Sequence, residues 1–225
     1  MVRISKDYDE RRTELLDAAQ ALFYDQGYES TTVDAIINKV GVAKGTFYYY
    51  FDSKVALLNA LADRLSAAGL EQFRRVVELD DTDALVKLNK VFELSRSSKV
   101  ANKELIRTLL KVVFMDENIL LRHKLNARSV SLAAPEMAKI IRQGVAEGIF
   151  DTPYPDGAGQ TLLLLGIELN ELLAPLILEL DEKPDNMGRM KEMIAHYENA
   201  IERILGAPEG SIMVQDRTFL QDLLD

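Results

Sequence analysis

Residues 31–54 read TTVDAIINKVGVAKGTFYYYFDSK, and the reading of this stretch decides the fold. Its spacing predicts a short helix, a tight turn, a second short helix and the start of a third. Thr31 is placed to open the first helix, with its hydroxyl capping the N–H of Asp34. Val33, Ile36, Ile37 and Val40 recur at i, i+3, i+4 and i+7, which makes one face apolar. Gly41 can take the left-handed conformation that ends a helix. Val42 returns the chain to the core, and a second helix runs from about Ala43 to Tyr50.

At about 100° per residue, Phe47, Tyr50 and Phe51 share one face of that second helix. Gly45 and Tyr49 point the other way, with Thr46 and Tyr48 on the flanks and Lys44 at the entrance. A helix laid into a DNA major groove can use such a face. Hydroxyls bond phosphates or base edges, ring edges meet thymine methyls, and glycine permits close approach. Spacing alone leaves a second reading open, a buried helical hairpin with tyrosines in a protein interface, because helix–turn–helix geometry also occurs in proteins that bind no DNA. Asp52-Ser53 caps a third helix, whose first turn carries Lys54.

The run VGVAKGTFYYYFDSKVAL, preceded by STTVDAII, resembles the DNA-binding signature of the TetR family of repressors over roughly residues 10–58. The turn, the Lys-Gly pair, the aromatic cluster and the downstream Ser-Lys all fall in register. The resemblance implies an all-α fold: an N-terminal three-helix helix–turn–helix domain followed by a larger helical ligand-binding and dimerisation domain. It implies phosphate contacts for Thr32, Lys44, Tyr49 and Lys54. It places Gly45, Thr46 and Tyr48 near base edges and leaves Phe47 and Phe51 to hold the recognition helix to its core. Beyond residue 60 the likeness is one of helical layout and length. The expected domains are residues 1–53 for DNA, 54–206 for effector and dimerisation, and 207–225 as an acidic tail.

Composition bounds the function. Hydrophobic residues make up 48% and charged residues 28%, as in soluble globular proteins. No secretory signal is visible at the N-terminus. Cysteine is absent, which excludes disulfides and thiolate chemistry and suits a cytoplasmic protein. Net charge is −9, against the basic balance usual for DNA binders. Residues 1–56 carry seven Lys/Arg (3, 6, 11, 12, 39, 44, 54) and nine Asp/Glu (7, 9, 10, 14, 17, 25, 29, 34, 52), a net of −2. The DNA reading therefore requires the acids to lie away from the duplex. It also predicts few phosphate contacts per subunit and a modest salt dependence.

In chain order, residues 1–8 read as a charged arm. A first helix over about Asp9 to Gln26 turns Leu15, Ala18, Ala19, Leu22 and Phe23 inward, and Gly27 ends it. The helix from Ser53 runs to about Leu79, roughly 40 Å at ~1.5 Å per residue. It serves either as a lever between two sites or as a plain structural helix. Thr82 is expected to cap a helix to Arg96 with Leu85, Leu88 and Phe92 inward. Ser97-Ser98 is expected as a loop, and Asn102 as the cap of a helix carrying Leu105, Ile106, Leu109, Leu110 and Val113. Asn118 to Ala146 follows, kinked or split at Pro135. TPYPDG (152–157) is the clearest loop.

Residues 161–180, TLLLLGIELNELLAPLILEL, are apolar nearly all round. Glu168, Asn170, Glu171 and Glu179 argue against a membrane span. Burial on two fronts, its own domain and a partner subunit, explains the composition. Met187 to Leu205 supplies a second such helix. Two from each subunit make a four-helix bundle, so a homodimer is expected with Leu165, Leu169, Leu172, Leu176, Met190, Ile194, Tyr197 and Ile201 at its interface. A twofold dimer reads an inverted-repeat operator in double-stranded DNA, with half-sites about 34–36 Å apart or somewhat more. A small-molecule effector is expected among Phe92, Phe114, His123, Met137 and Glu168. In the tail, Phe219, Leu220, Leu223 and Leu224 either form a last amphipathic turn or belong to a disordered end.

Catalysis finds little support. His123 and His196 have no neighbour at metal-ligand spacing. No phosphate loop, nucleophile elbow or HExxH is present. Glu168 and Glu171, three apart on one helix, are better explained as a solvated or interface edge. The sequence thus points to a DNA-binding regulator with no cofactor, no metal and no catalytic residue. A helical adaptor or an all-helical enzyme stands as the competitor.

Overall fold

The computed structural model describes residues 8–114, 119–180 and 182–214. Residues 1–7 of the arm expected over 1–8, and Phe219, Leu220, Leu223 and Leu224 of the tail, lie outside the described residues, whereas Tyr8 opens the first helix. Regular structure among the described residues is helical: α1 (Tyr8–Gln26), α2 (Val33–Val40), α3 (Lys44–Tyr50), α4 (Lys54–Val77), α5 (Ala84–Ala101), α6 (Lys103–Val113), α7 (Ile119–Ala146), α8 (Pro155–Leu178) and α9 (Asn186–Leu205). Contacts divide the chain into two compact units. The first comprises Met1–Ala67 with Glu104–Leu109, the second Ala68–Lys103 with Leu110–Asp225.

In the first unit, α1, α2, α3 and the start of α4 enclose an apolar core. Leu15, Leu16, Ala19, Phe23, Ile36, Phe47, Leu57 and Leu58 are buried there. Helix α2 opens one residue later than its sequence suggests. Thr32, not Thr31, takes the extended N-cap conformation and accepts from the Ala35 N–H at 3.0 Å. Thr31 is buried, and its hydroxyl donates to the Gly27 carbonyl at 2.8 Å. At the far end Gly41, with φ of 76°, donates its N–H to the Ile37 carbonyl at 2.8 Å. That left-handed cap is where a side chain would be strained. Ser53 caps α4 by accepting from the Ala56 N–H at 3.0 Å.

The second unit departs from the sequence expectations at several helix ends. Asp83 rather than Thr82 caps α5, its carboxylate accepting from Val86 N–H at 2.8 Å. The Glu147 carboxylate accepts from Ala84 N–H at 2.9 Å and shares the same helix end. Helix α5 continues through Ser97-Ser98 to Ala101, so no loop forms there. Asn102 closes α5 by donating its amide to the Ser98 carbonyl at 2.8 Å, and makes no capping bond to α6. Pro135 lies inside an uninterrupted α7. Helix α8 starts within TPYPDG because Pro155 at its first turn has no N–H to leave unsatisfied. Residues 208–214 pack beside α5: Asn89 donates to the Ser211 carbonyl at 2.8 Å and accepts from Met213 N–H at 2.9 Å.

One core cluster gathers Phe73, Leu88, Met137, Ile140, Ile141, Phe150, Leu162, Ile201 and Leu205, and a second gathers Leu169, Leu173, Leu176, Leu180, Met190 and Ile194. The two clusters take in several residues expected at a dimer face. Leu169, Leu176, Met190, Ile194 and Ile201 are already buried within one chain. The regular apolar stripes of α8 and α9 face their own domain. What α8 leaves outward is interrupted by polar residues: Leu164 and Leu172 are exposed, as are Glu168 and Asn170. Leu165 and Tyr197 are half-buried. Among the described residues, α8 is the helix long and apolar enough to cross a membrane by length and composition. Its buried stripe and its close approach to α7 give that composition another use. A Cβ on Gly159 would stand 3.0 Å from the Ala138 backbone nitrogen.

Candidate nucleic-acid interface and cavities

Helix α3 separates its aromatic residues by face. Phe47 is 0% and Phe51 4% exposed, whereas Tyr48 is 47% and Tyr49 71% exposed. A helix of seven residues with no side-chain N-cap gains its stability from that buried face, since isolated short helices are marginal in water. Gly45 lies on the exposed side, and a Cβ there would meet nothing within 4 Å. Thr46 is half-buried, and Thr32 and Lys44 are exposed. The structure thus brings Thr32, Lys44, Gly45, Thr46, Tyr48 and Tyr49 to the first unit's surface at α2 and α3. The Tyr49 ring stands 5.9 Å from Tyr8 and 5.0 Å from Tyr50, both at steep angles that orient the phenol.

Lys54 sits differently from its expected phosphate role. Its ammonium donates to the Tyr28 carbonyl at 2.8 Å and the Thr31 carbonyl at 2.9 Å, and lies 4.0 Å from the Tyr28 ring centroid. With two of three donors engaged by backbone, it ties the loop before α2 to the start of α4. Tyr28 beneath it stacks edge-on with Phe23 at 5.1 Å. Burial first, and then the neighbouring Glu29, raise the Tyr28 pKa and keep the phenol neutral. The acids are also not all away from the face. Asp34 holds Lys44 at 3.2 Å, with both side chains more than half exposed. Ten residues separate the two across a turn, and no local pattern announces such a pair.

The five residues expected around an effector do not converge. Met137 is core, and Phe92 packs against the same cluster. Phe114 lies under the Arg122 guanidinium, 4.5 Å from the ring centroid. His123 and Glu168 do meet, in a groove of about 1130 Å³ between α7 and α8. Two ion pairs lie in that groove: Arg122 pairs with Glu171 at 3.1 Å, and Arg142 pairs with Asp156. A second cavity of about 310 Å³ lies between α4, α5 and α8. Phe73, Val91, Leu94 and Leu163 line it together with Lys99. By accessible surface the Lys99 side chain is only half-buried, yet protein surrounds its ammonium closely enough for desolvation to lower the pKa to about 8. Sequence reasoning missed it because a lysine in a last helical turn usually faces water and the helix dipole. No cluster of three or more metal-ligating side chains occurs among the described residues.

Residues 15–61 match the family model for bacterial regulatory proteins of the tetR family. The regulator TtgR of Pseudomonas putida is 33% identical over 92 residues, 40% of this chain and 44% of TtgR, so the match spans less than half of that relative. A TetR-family transcriptional regulator from Pectobacterium atrosepticum superposes with a TM-score of 0.61 at 19% identity, covering 91% of this chain and 100% of that one. SmeT, the repressor of the Stenotrophomonas maltophilia multidrug efflux pump SmeDEF, gives 0.60 at 18% identity, covering 91% and 94%. At these identities the solved structures speak for the fold alone. SmeT has also been solved in complex with triclosan.

Proposed function

We propose, from the premise that this chain belongs to the tetR family of bacterial regulatory proteins, that it is a cytoplasmic repressor that binds an inverted-repeat operator as a homodimer and is released by a small-molecule effector. Helix α3 enters the major groove. Lys44, Tyr49 and Thr32 hold phosphates, while Gly45, Thr46 and Tyr48 meet base edges. Lys54 acts one step back, as a positioning residue for the loop that presents Thr32. Residues 1–53 carry DNA binding, residues 54–206 effector binding and dimerisation. No step in this function needs a catalytic group, a metal or a cofactor.

The observation that carries the reading is the division of α3, with phenylalanines at 0% and 4% exposure beside tyrosines at 47% and 71%. Two exposed phenols flanked by Lys44 and Gly45 cost solubility on a helix that meets only water. Laid against a duplex, each has a partner. Dimerisation follows from affinity. One short helix reads few bases at about 1–3 kcal/mol per good bidentate contact, and twofold repetition doubles the reading. Release follows only if the effector binds more tightly to a dimer whose two α3 helices are wrongly spaced.

The test is a selection of bound sequences from random duplex DNA by the purified chain. The expected product is an inverted repeat. On the selected site, Tyr49→Phe should weaken binding to all sequences alike, whereas Thr46→Ala or Tyr48→Ala should change the preferred bases. Selection of a single asymmetric half-site bound by monomer, or no salt-dependent DNA binding at all, would overturn the reading.

A further inference from the structure

The cavity between α4, α5 and α8 differs from the α7/α8 groove in one respect. It holds a cation that no acid matches. Lys99 is the sole ionisable side chain lining it among the described residues. Its ammonium donates to the Asn170 side-chain oxygen at 2.9 Å and forms no ion pair there. In the α7/α8 groove, by contrast, Arg122 and Arg142 each already face a carboxylate. An ammonium held against apolar walls is unfavourable until an anion or a full set of acceptors accompanies it.

We propose that this cavity binds a small apolar monocarboxylic acid, with the carboxylate on Lys99 and the hydrocarbon or aryl body among Phe73, Val91, Leu94 and Leu163. A monoanion neutralises that charge. A dianion would leave one negative charge unmatched in the same apolar space, a cation would be repelled, and a neutral ligand would leave Lys99 as it stands. Two ammonium donors remain for the ligand after the bond to Asn170. Gln72, Ser95 and Ser98 add neutral polar groups to the lining. A volume of about 310 Å³ lies at the low end of ligand pockets, which run to roughly 1,000 Å³. It suits a medium-chain or arylalkanoic acid and excludes a nucleotide conjugate.

The site also lies, in sequence, beside two of the three points where the chain passes between its units, Ala67/Ala68 and Lys103/Glu104, the third being Leu109/Leu110. Gly69 and Gln72 follow the first crossing, and Lys99 precedes the second. A ligand there bears on α4 and on the last turn of α5, which lead to those two crossings. That regulatory consequence rests on the effector-controlled reading above, whereas the ligand class rests on the cavity.

Calorimetric titration of the full chain with decanoate and 4-phenylbutanoate, against decanol and 4-phenylbutanol, tests the class. The acids should bind about tenfold or more tightly than the matched alcohols. Lys99→Met should abolish that preference, and Lys99→Arg should retain it. Gly69→Leu, placed where a Cβ meets nothing within 4 Å, should weaken acid and alcohol alike by filling the space. Equal affinity of acid and alcohol, unchanged acid affinity in Lys99→Met, or no acid binding at millimolar concentration would each overturn the proposal. Should Lys99→Met fail to fold, the acid–alcohol comparison in the unaltered chain and the Gly69→Leu variant still decide it. Release of the selected duplex is scored separately. Acid binding without release supports the ligand class and defeats the effector reading. Release by the alcohols as readily as by the acids does the reverse.

Discussion

Thr31 and Thr32 carry the same side chain, yet one is buried with its hydroxyl on Gly27 and the other is exposed and caps α2. Either hydroxyl can cap, so composition could not choose. Packing of Tyr28 and the pull of Lys54 on the Thr31 carbonyl decide it. The Phe–Tyr alternation of α3 was legible for the opposite reason. Helical period alone fixes which rings oppose each other. Asp34 was not legible as a partner of Lys44, and it bears on binding directly. Its carboxylate competes with phosphate for the ammonium and repels the duplex. Asp34→Asn should therefore tighten operator binding several-fold at low salt and steepen its salt dependence. Fluorescence anisotropy across a salt series checks this, and weaker binding would show Asp34 to be a DNA contact itself. Lys99 yields a second outcome. Its pKa falls from 10.5 to about 8 on folding, so between those values the unfolded chain holds the extra proton. Stability should thus rise with pH across about 8 to 10.5, and below 8 the full cost remains. At pH 7 without ligand, Lys99→Met should be more stable by on the order of 1–3 kcal/mol. The gain should shrink as pH climbs toward 10, as urea melts at several pH values would read.

At the scale of the element, helices α1, α2 and α4 were readable because each carries a cap or breaker at one end: Gly27, Gly41 and Ser53. The ends of α5 and α8 were not. Thr82 and Asp83 are both cap residues, and the carboxylate won. The serines at 97 and 98 have weak helix preferences that the surrounding packing overrides. Pro155 reads as a loop residue until its place in the first turn is known. The end of α7 shows how tightly such a junction can be built. Ile149 and Phe150 both donate their N–H groups to the Gly144 carbonyl, at 2.9 and 3.0 Å. The Phe150 ring folds back over Gly144, where a Cβ would fall 2.1 Å from a ring carbon. Phe150 is buried in the core. Gly144→Ala must displace that ring, and despite its better helix propensity it should destabilise the chain by about 1–3 kcal/mol. Chemical denaturation measures the loss. Pairing the change with Phe150→Leu should recover part of it. An unchanged midpoint for Gly144→Ala would mean that the ring has other room.

For the whole molecule, the proposed function asks how a chain of net charge −9 would associate with a polyanion and with itself. The acidic balance suppresses non-specific binding, so affinity has to come from a few local contacts repeated by symmetry. Symmetry needs an interface, and α8 was legible as too apolar for one buried face, but not in which residues face which way. Its periodic leucines, Leu169, Leu173 and Leu176, turn into their own chain, and the exposed Leu172 stands between them. Leu164 at 50% and Leu172 at 41% exposure, with the half-buried Leu165 and Tyr197, are what remain for a partner. Two substitutions four residues apart then separate association from folding. Leu172→Lys should place a like charge against its twofold mate. It should convert dimer to monomer at micromolar concentration in sedimentation and abolish binding to the inverted repeat, with the thermal unfolding of the monomer intact. Leu176→Ala removes a side chain from the chain's own core. It should cost about 2–5 kcal/mol of stability while the folded fraction keeps its association state. A Leu172→Lys protein that remains dimeric would move the interface away from this face of α8.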